Sequence, residues 1–310
     1  MTSVKIVAVS IDNALSRASE EELYAGLTSI EGLEIESAIM LASAESHAPG
    51  EVDGPEYFAY VAEGKYKKGS IADLRSAVAV REDVLLAGYE VNVVDPKLSE
   101  DDKKLLVLDV DSTLIQQEVI DELAARAGRG EQVASVTEQA MLGEIEFEHS
   151  LRTRVGVLEG LSESTLDEVA AGITLNPGAT LLVKTFLDAG HAVAAVSGGF
   201  VQLLRPVAQK LELSHARANV LEVIDGVVTG ELLGDIIDGD AKCHALHEWA
   251  KEEGVKNAHV IAVGDGANDI LMVEAAGLGI GYNSKSALAE VADARIETAR
   301  LDAIRHFVGL

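Results

Sequence analysis

The 310-residue chain carries 25 Lys and Arg against 52 Asp and Glu, a formal charge of −27, with 48% hydrophobic and 25% charged residues. That balance suits a globular protein of about two domains and is too apolar for a disordered one. It excludes a broad basic face for nucleic acid or an anionic membrane, while leaving room for a small positive pocket. The acidity is spread out: residues 1–102 hold 8 basic and 20 acidic side chains, so this is not a neutral protein with an acidic tail. A single cysteine, Cys243, rules out an internal disulfide framework and suits a reducing cytoplasm. The start of the chain is shorter and less basic than a secretory signal, and no run approaches the roughly 18 apolar residues of a spanning helix. A soluble cytoplasmic protein is the expectation.

Val4–Ser10 is a β-rich run, and Ser19–Ser29 carries Leu23, Leu27 and Ile30 at helical spacing. Strands are expected at Leu33–Leu41, Glu56–Ala62 and Glu90–Val94, with a second helix over Ser70–Val80. The order βαββαβ describes a two-layer sheet-plus-helix unit. The Pro- and Gly-rich stretch Ala48–Pro55 reads as a surface connection. The polar segment Asp95–Asp102 contains Pro96 and an acidic cluster, so the boundaries are drawn at 1–95, a linker 96–102 and 103–310.

From Lys103 a second pattern begins. The apolar run Leu105–Val110 is followed by helical segments to about residue 173. Helices and short apolar strands then alternate: strands at His191–Val196, Ala216–Val220, His259–Val263 and Leu278–Gly281, helices at Ala179–Ala189, Phe200–Leu211, Lys242–Glu253 and Asn268–Ala276. Such alternation predicts an α/β fold with a doubly wound parallel sheet. Asp225-Gly226 between two β-rich arms is a hairpin signal. In open parallel sheets ligands bind outside the carboxyl ends of the strands, so the residues just after each apolar run are the ones to weigh.

After the first run come Asp109 and Asp111, two apart and directed the same way in extended chain. Two such carboxyls can divide labour as nucleophile and proton donor. A plain helix start, with Thr113 and Gln116 as a capping box, is the alternative, and it leaves Asp109 unexplained. Ser197-Gly198-Gly199 can offer a hydroxyl and backbone N–H groups to phosphate oxygens, or be an ordinary turn. Gly264-Asp265-Gly-Ala-Asn268-Asp269 brings hard oxygen ligands to another strand end, a Mg²⁺ pattern rather than a zinc one. Lys242, at a helix start, gains meaning only if a phosphoryl group and a carboxylate lie nearby. Arg154 lies on or beside the apolar face formed by Phe147, Leu151, Val155 and Leu158, where it either meets an anion or snorkels past. Glu118 is equally ambiguous alone. Cys243, His244 and His247 lack a fourth ligand for zinc, and Gly277-x-Gly279-x-Gly281 lacks the dinucleotide spacing.

The ordered set Asp109-Val-Asp111-Ser-Thr-Leu114, Ser197-Gly-Gly, Lys242 and Gly264–Asp269 resembles the haloacid-dehalogenase (HAD) superfamily of aspartate-nucleophile phosphatases, from Lys103 to the C-terminus. Within it, Asp111–Glu118, Phe147–Val155, Leu175-Asn-Pro-Gly178, Ala195–Phe200 and Asp225–Gly230 are similar to the phosphoserine phosphatases. The resemblance implies hydrolysis of O-phospho-L-serine to L-serine, the last step of serine biosynthesis. Asp109 would form a phosphoaspartate and Asp111 would be general acid and base. Mg²⁺ would be held by Asp109, the Asp111 backbone carbonyl and Asp265, with Asp269 acting through water. Ser197, Gly198, Lys242 and Asn268 would hold the phosphoryl oxygens; Glu118 would meet the substrate ammonium and Arg154 its carboxylate. Phe147 would close over the substrate, and residues about 117–175 would form an inserted helical cap. Ser286 stands where the family often has proline.

The N-terminal unit resembles an ACT domain in topology and position, but Ile11–Ser16 lacks the glycine usual at its first turn. Amino-acid binding, a homodimer through this unit and a purely structural role therefore stay open. Alternative activities are a phosphatase or phosphotransferase for another small metabolite, or a phospho-accepting regulatory protein.

Overall fold

The computed structural model describes residues 1–11, 17–44, 48–85, 88–141, 146–297 and 300–310. The missing turn glycine falls at 11–16, which beyond Ile11 lies outside them. The continuous apolar run near the N-terminus becomes β1 (Thr2–Ser10), followed by α1 (Arg17–Thr28), β2 (Leu33–Ala42), β3 (Phe58–Tyr66), α2 (Ile71–Leu85) and β4 (Glu90–Val94). These strands form an antiparallel sheet in the order β2-β3-β1-β4. β1 is apolar at consecutive positions because both its faces are covered. Val4, Ile6 and Ala8 pack with Leu23, Leu27 and Leu74. Val7 and Val9 face the other way, into the core of the second unit.

That second unit begins with β5 (Leu105–Leu108), followed by α3 (Val119–Arg126), α4 (Gly130–Met141), α5 (Phe147–Gly156) and α6 (Glu163–Gly172). Next come α7 (Ala179–Asp188), β6 (Ala192–Phe200), α8 (Val201–Lys210), β7 (His215–Ile224), β8 (Val227–Leu233) and α9 (Gly239–Glu252). The chain ends with β9 (Val260–Gly264), α10 (Ile270–Ala275), β10 (Leu278–Tyr282), α11 (Ser286–Ala289), β11 (Ala294–Ile296) and α12 (Ile304–Phe307). The sheet order is β11-β10-β9-β5-β6-β7-β8, parallel except for the β7–β8 hairpin. Asp225 and Gly226 both take positive φ (53° and 76°), the turn whose twist matches a two-residue hairpin. Alternate residues of β5 serve opposite layers: Leu106 and Leu108 join the core that holds Phe186 and Phe307, and Leu105 and Val107 join that of Trp249 and Met272. This is a doubly wound α/β fold, and β5 lies between β6 and β9, so three strand ends meet at one point.

One reading is corrected and one is extended. Ala48–Pro55 is the surface connection expected, with none of its residues buried, but Glu51 also bridges Leu175, and the Tyr57 that follows is fully buried in the seam between the units. Its hydroxyl donates to Asp302 at 2.9 Å, and Arg300 lies over its ring. The expected strand Glu56–Ala62 begins only at Phe58 and runs on to Tyr66. The connection over 96–102 is itself packed, with a 3-10 turn at Pro96–Ser99 and Leu98 buried. Burying Val7, Val9, Val94 and Leu98 is worth about 1.5–3 kcal/mol apiece, so the seam is a second core rather than a tether. No helix among the described residues is long and apolar enough to cross a membrane.

Candidate functional site

The Asp109 N–H donates to Val263 O at 2.9 Å, carrying the β5 ladder one residue past the strand and fixing the carboxylate at its tip. Beyond it Asp111 is extended and Ser112 takes φ 58°, so residues 110–114 form a wide turn closed by Ile115 N–H to Val110 O. The capping-box alternative does not occur: Thr113 Oγ1 is buried without a hydrogen-bond partner, and Asp111 reaches α3 instead. Asp111 Oδ1 accepts from Val119 N–H at 2.8 Å and Oδ2 from Ser197 Oγ at 2.9 Å. Ser197 Oγ also accepts from Gly199 N–H at 2.7 Å. A Cβ on Gly199 would sit 2.8–3.0 Å from Val119, Asp111 and Ser197, which explains the second glycine.

Lys242 enters from the first turn of α9, which is capped by Asp238. Its side chain is fully buried, and its ammonium donates to Asp109 Oδ1 and, at 2.6 Å, to Asp269 Oδ1. Asp269 Oδ2 in turn accepts the N–H groups of Asp265 and Gly266. A Cβ at Gly264 would fall 2.5 Å from Asp269, so only glycine lets this turn close. Burial pushes the Asp109 carboxyl well above its ordinary range, and neighbouring Asp269 adds to this, while Lys242 opposes it. Burial alone would lower the Lys242 ammonium, but the two carboxylates hold it above its usual value. Burial likewise raises Asp111, against the bonds from Val119 and Ser197, and raises Asp265.

Asp109, Asp265 and Asp269 each offer an oxygen within 4.8 Å of the others, a buried hard-donor set that fits Mg²⁺. Among the described residues no comparable group forms around Cys243, His244 and His247.

A cavity of about 340 Å³ opens over this cluster. Asp109, Asp111, Asp265, Asn268 and Gly198 line it together with Glu118, Phe147 and Arg154. The sequence-chosen residues therefore converge, with Ser197, Lys242 and Asp269 directly behind them. Glu118 accepts from Ser112 Oγ at 2.8 Å, and burial and Asp111 push its carboxyl up. Arg154 is half-buried and lines the cavity, and its Nε is buried without a hydrogen-bond partner. Burial lowers its guanidinium, against the pull of Asp121 and Glu118. Two charged lining residues escaped the sequence reading. Lys285 holds Asp265 Oδ2 at 3.0 Å, and Asp121 stands in the first turn of α3. Lys285 follows the end of β10, so the strand-end rule applied to that run finds it.

Residues 106–274 match the haloacid dehalogenase-like hydrolase family. Phosphoserine phosphatase SerB2 of Mycobacterium tuberculosis is 46% identical over 221 residues, 71% of this chain and 54% of that protein. The probable phosphoserine phosphatase of Schizosaccharomyces pombe is 40% identical over 248 residues, covering 78% and 82% of the two chains. The unliganded crystal structure of a probable phosphoserine phosphatase from Vibrio cholerae superposes with a TM-score of 0.75 at 30% identity, over 98% of this chain and 86% of the other. The chain spans 54–58% of the length of the first curated relatives it matches.

Proposed function

The chain belongs to the haloacid dehalogenase-like hydrolase family, and we propose that its activity is the Mg²⁺-dependent hydrolysis of O-phospho-L-serine to L-serine and phosphate. The observation that carries this reading is that Glu118 and Arg154 line the same cavity as Asp109, whose carboxylate is paired with Lys242, itself bonded to Asp269. A phosphoryl-transfer centre beside one anionic and one cationic side chain matches a phosphorylated zwitterion.

Asp109 attacks phosphorus through its carboxylate oxygen, and the bond from phosphorus to the seryl oxygen breaks. Asp111 donates its proton to that leaving oxygen. Burial keeps the Asp111 carboxyl protonated to higher pH than an ordinary aspartate, as an acid catalyst requires. Asp111, now a base, takes a proton from the water that attacks the phosphoaspartate, freeing phosphate and restoring Asp109. Lys242, Ser197, Asn268 and the N–H of Gly198 hold the phosphoryl oxygens, since this chemistry asks mainly for positioning and charge stabilisation. Asp109, Asp265 and the Asp111 carbonyl would hold Mg²⁺, with Asp269 supporting through water; when bound, the ion polarises the phosphoryl group as a Lewis acid. Phe147, which lines the cavity, closes over the substrate and excludes water from the reacting atoms.

We assign residues 1–95 to an ACT-like unit, 96–102 to the connection and 103–310 to the phosphatase unit, with 117–175 as its cap. A cytoplasmic enzyme of serine biosynthesis, dimeric through the ACT-like unit, completes the proposal. The test is phosphate release from a panel of phosphoamino acids and sugar phosphates. Preference for O-phospho-L-serine and loss of turnover in Asp109→Asn are expected. Equal rates on sugar phosphates would overturn the substrate, and an active Asp109→Asn the mechanism.

A further inference from the structure

Residues 174–176 run between two strips of chain from different units. On one side Leu175 N–H donates to Gly50 O at 2.9 Å and Val52 N–H to Leu175 O at 3.1 Å. On the other, Gln116 N–H donates to Thr174 O at 2.9 Å and Asn176 N–H to Leu114 O at 3.0 Å. The N-terminal unit is thus hydrogen-bonded, through one intervening strip, to the loop that carries Asp109 and Asp111.

The side chain of Asn176 makes the second connection. Its buried Nδ2 lies 2.7–3.2 Å from the carbonyls of Ser112, Thr113 and Ile115, and Gln116 Nε2 donates to its Oδ1. Ser112 sits in the left-handed region, a conformation that persists only when its surroundings impose it. Asn176 imposes it here by gathering the carbonyls of the turn.

What fixes Asn176 lies across the seam. Gly178, at φ 80°, begins α7 without a capping side chain. Glu51 supplies the cap from the other unit: Oε1 accepts from Gly178 N–H and Oε2 from Thr180 N–H, both at 2.9 Å. A carboxylate on two first-turn donors is well placed for the helix dipole. Asn176 is therefore clamped two residues before an anchored Gly178.

We propose that Glu51 is a positioning residue of the phosphatase site, setting the 110–116 turn through Gly178 and Asn176; this rests on the function proposed above. Glu51 touches no reacting atom. It keeps the N-terminal unit and the catalytic turn in register, so this unit is part of the active-site scaffold.

The experiment pairs hydrogen exchange over 112–117 with steady-state kinetics on O-phospho-L-serine, using the full chain. In Glu51→Ala the Ile115 and Gln116 amides exchange about tenfold faster. Its kcat falls about tenfold while KM shifts less than about threefold, because a misplaced turn affects the reacting groups more than the binding pair. Glu51→Gln keeps one accepting oxygen and shows a smaller loss of both; it decides the matter if Glu51→Ala does not fold. Arg75→Ala, which cuts the Arg75–Asp293 pair elsewhere on the seam, leaves turn exchange and kcat at wild-type values. Unchanged exchange and kcat in both Glu51 variants would overturn the proposal, as would an equal loss in Arg75→Ala. Inactivity of the wild type on this substrate would overturn the function alone, since the exchange comparison still decides the coupling.

Discussion

Replacing Lys242 with Met separates two roles that the geometry gives to one side chain. The ammonium is fully buried, paired with Asp109 and 2.6 Å from Asp269. At an effective dielectric of about 20, a unit pair at that spacing attracts by roughly 6 kcal/mol before desolvation is set against it. Removing one partner of such a pair costs about 3–5 kcal/mol, chiefly because a charge is stranded without compensation. Two carboxylates depend on Lys242, so a loss near about 5 kcal/mol is expected for Lys242→Met. Adding Asp269→Asn removes one stranded charge while an amide oxygen can still accept from Asp265 and Gly266, so the double variant should recover at least about half of the deficit.

Activity should behave differently. Loss of one preorganised donor to a transferring group costs about 100- to 1000-fold in kcat, and the second substitution cannot restore it. Urea unfolding at fixed pH in chelating buffer reads the stability, and phosphate release reads the turnover. A double variant no more stable than Lys242→Met would refute the stranded-charge account. A kcat of Lys242→Met within about tenfold of wild type would refute its role at the phosphoryl group.

Arg154→Ala should raise KM for O-phospho-L-serine about 10- to 100-fold, the worth of one hydrogen-bonded charge, while sparing turnover of a phosphate ester without a carboxylate; equal loss on both substrates would show that Arg154 serves the fold. Glu118→Gln should discriminate in the same way between substrates with and without an ammonium, read as a ratio of kcat/KM. His306, buried with its Nε2 on the Tyr57 hydroxyl, is pushed down to about 3, chiefly by burial, with the charges of Arg305 and Lys5 adding to it. It stays neutral in the fold where the unfolded chain takes up a proton, so its contribution is fully present above pH 6.5 and is lost as pH falls from 6.5 towards 3. That linkage is worth at most about 5 kcal/mol. Stability of His306→Gln should fall less steeply over that interval, and parallel curves by urea unfolding would contradict the assignment.

The candidate cluster was legible because its members sit where short apolar runs stop: Asp109 and Asp265 directly follow β5 and β9, and Ser197 ends the apolar run Ala192–Val196 within β6, three strands that turn out to be neighbours. The period-2 and period-3.6 patterns located most elements of both units. After Gly281 the elements α11, β11 and α12 have only three or four residues, too few for any periodicity to show. The roles of Glu51 and Asn176 were missed for another reason. Their partners lie 127 and about 60 residues away, and nothing local in a Pro- and Gly-rich stretch distinguishes a capping carboxylate from a solvated one. Arg154 was visible as a cation on an apolar face, but only the fold shows that it lines the cavity with Asp109 and Glu118.

The charge of −27 acquires a local meaning at this site. Asp109, Asp111, Asp265, Asp269, Glu118 and Asp121 stand in or beside the cavity, against Lys242, Lys285 and Arg154. If all are ionised the site carries a net −3, repelling a phosphomonoester within a protein that repels it at long range as well. Burial pushes Asp111 upward, and one proton there, the one its role as an acid requires, leaves −2. One divalent cation on Asp109 and Asp265 brings the balance to zero. On the proposed function, the proton on Asp111 and a divalent cation would favour binding as well as chemistry. By linkage, an anionic substrate and the cation would each tighten the other's binding, so KM for O-phospho-L-serine is expected to rise as Mg²⁺ is withdrawn.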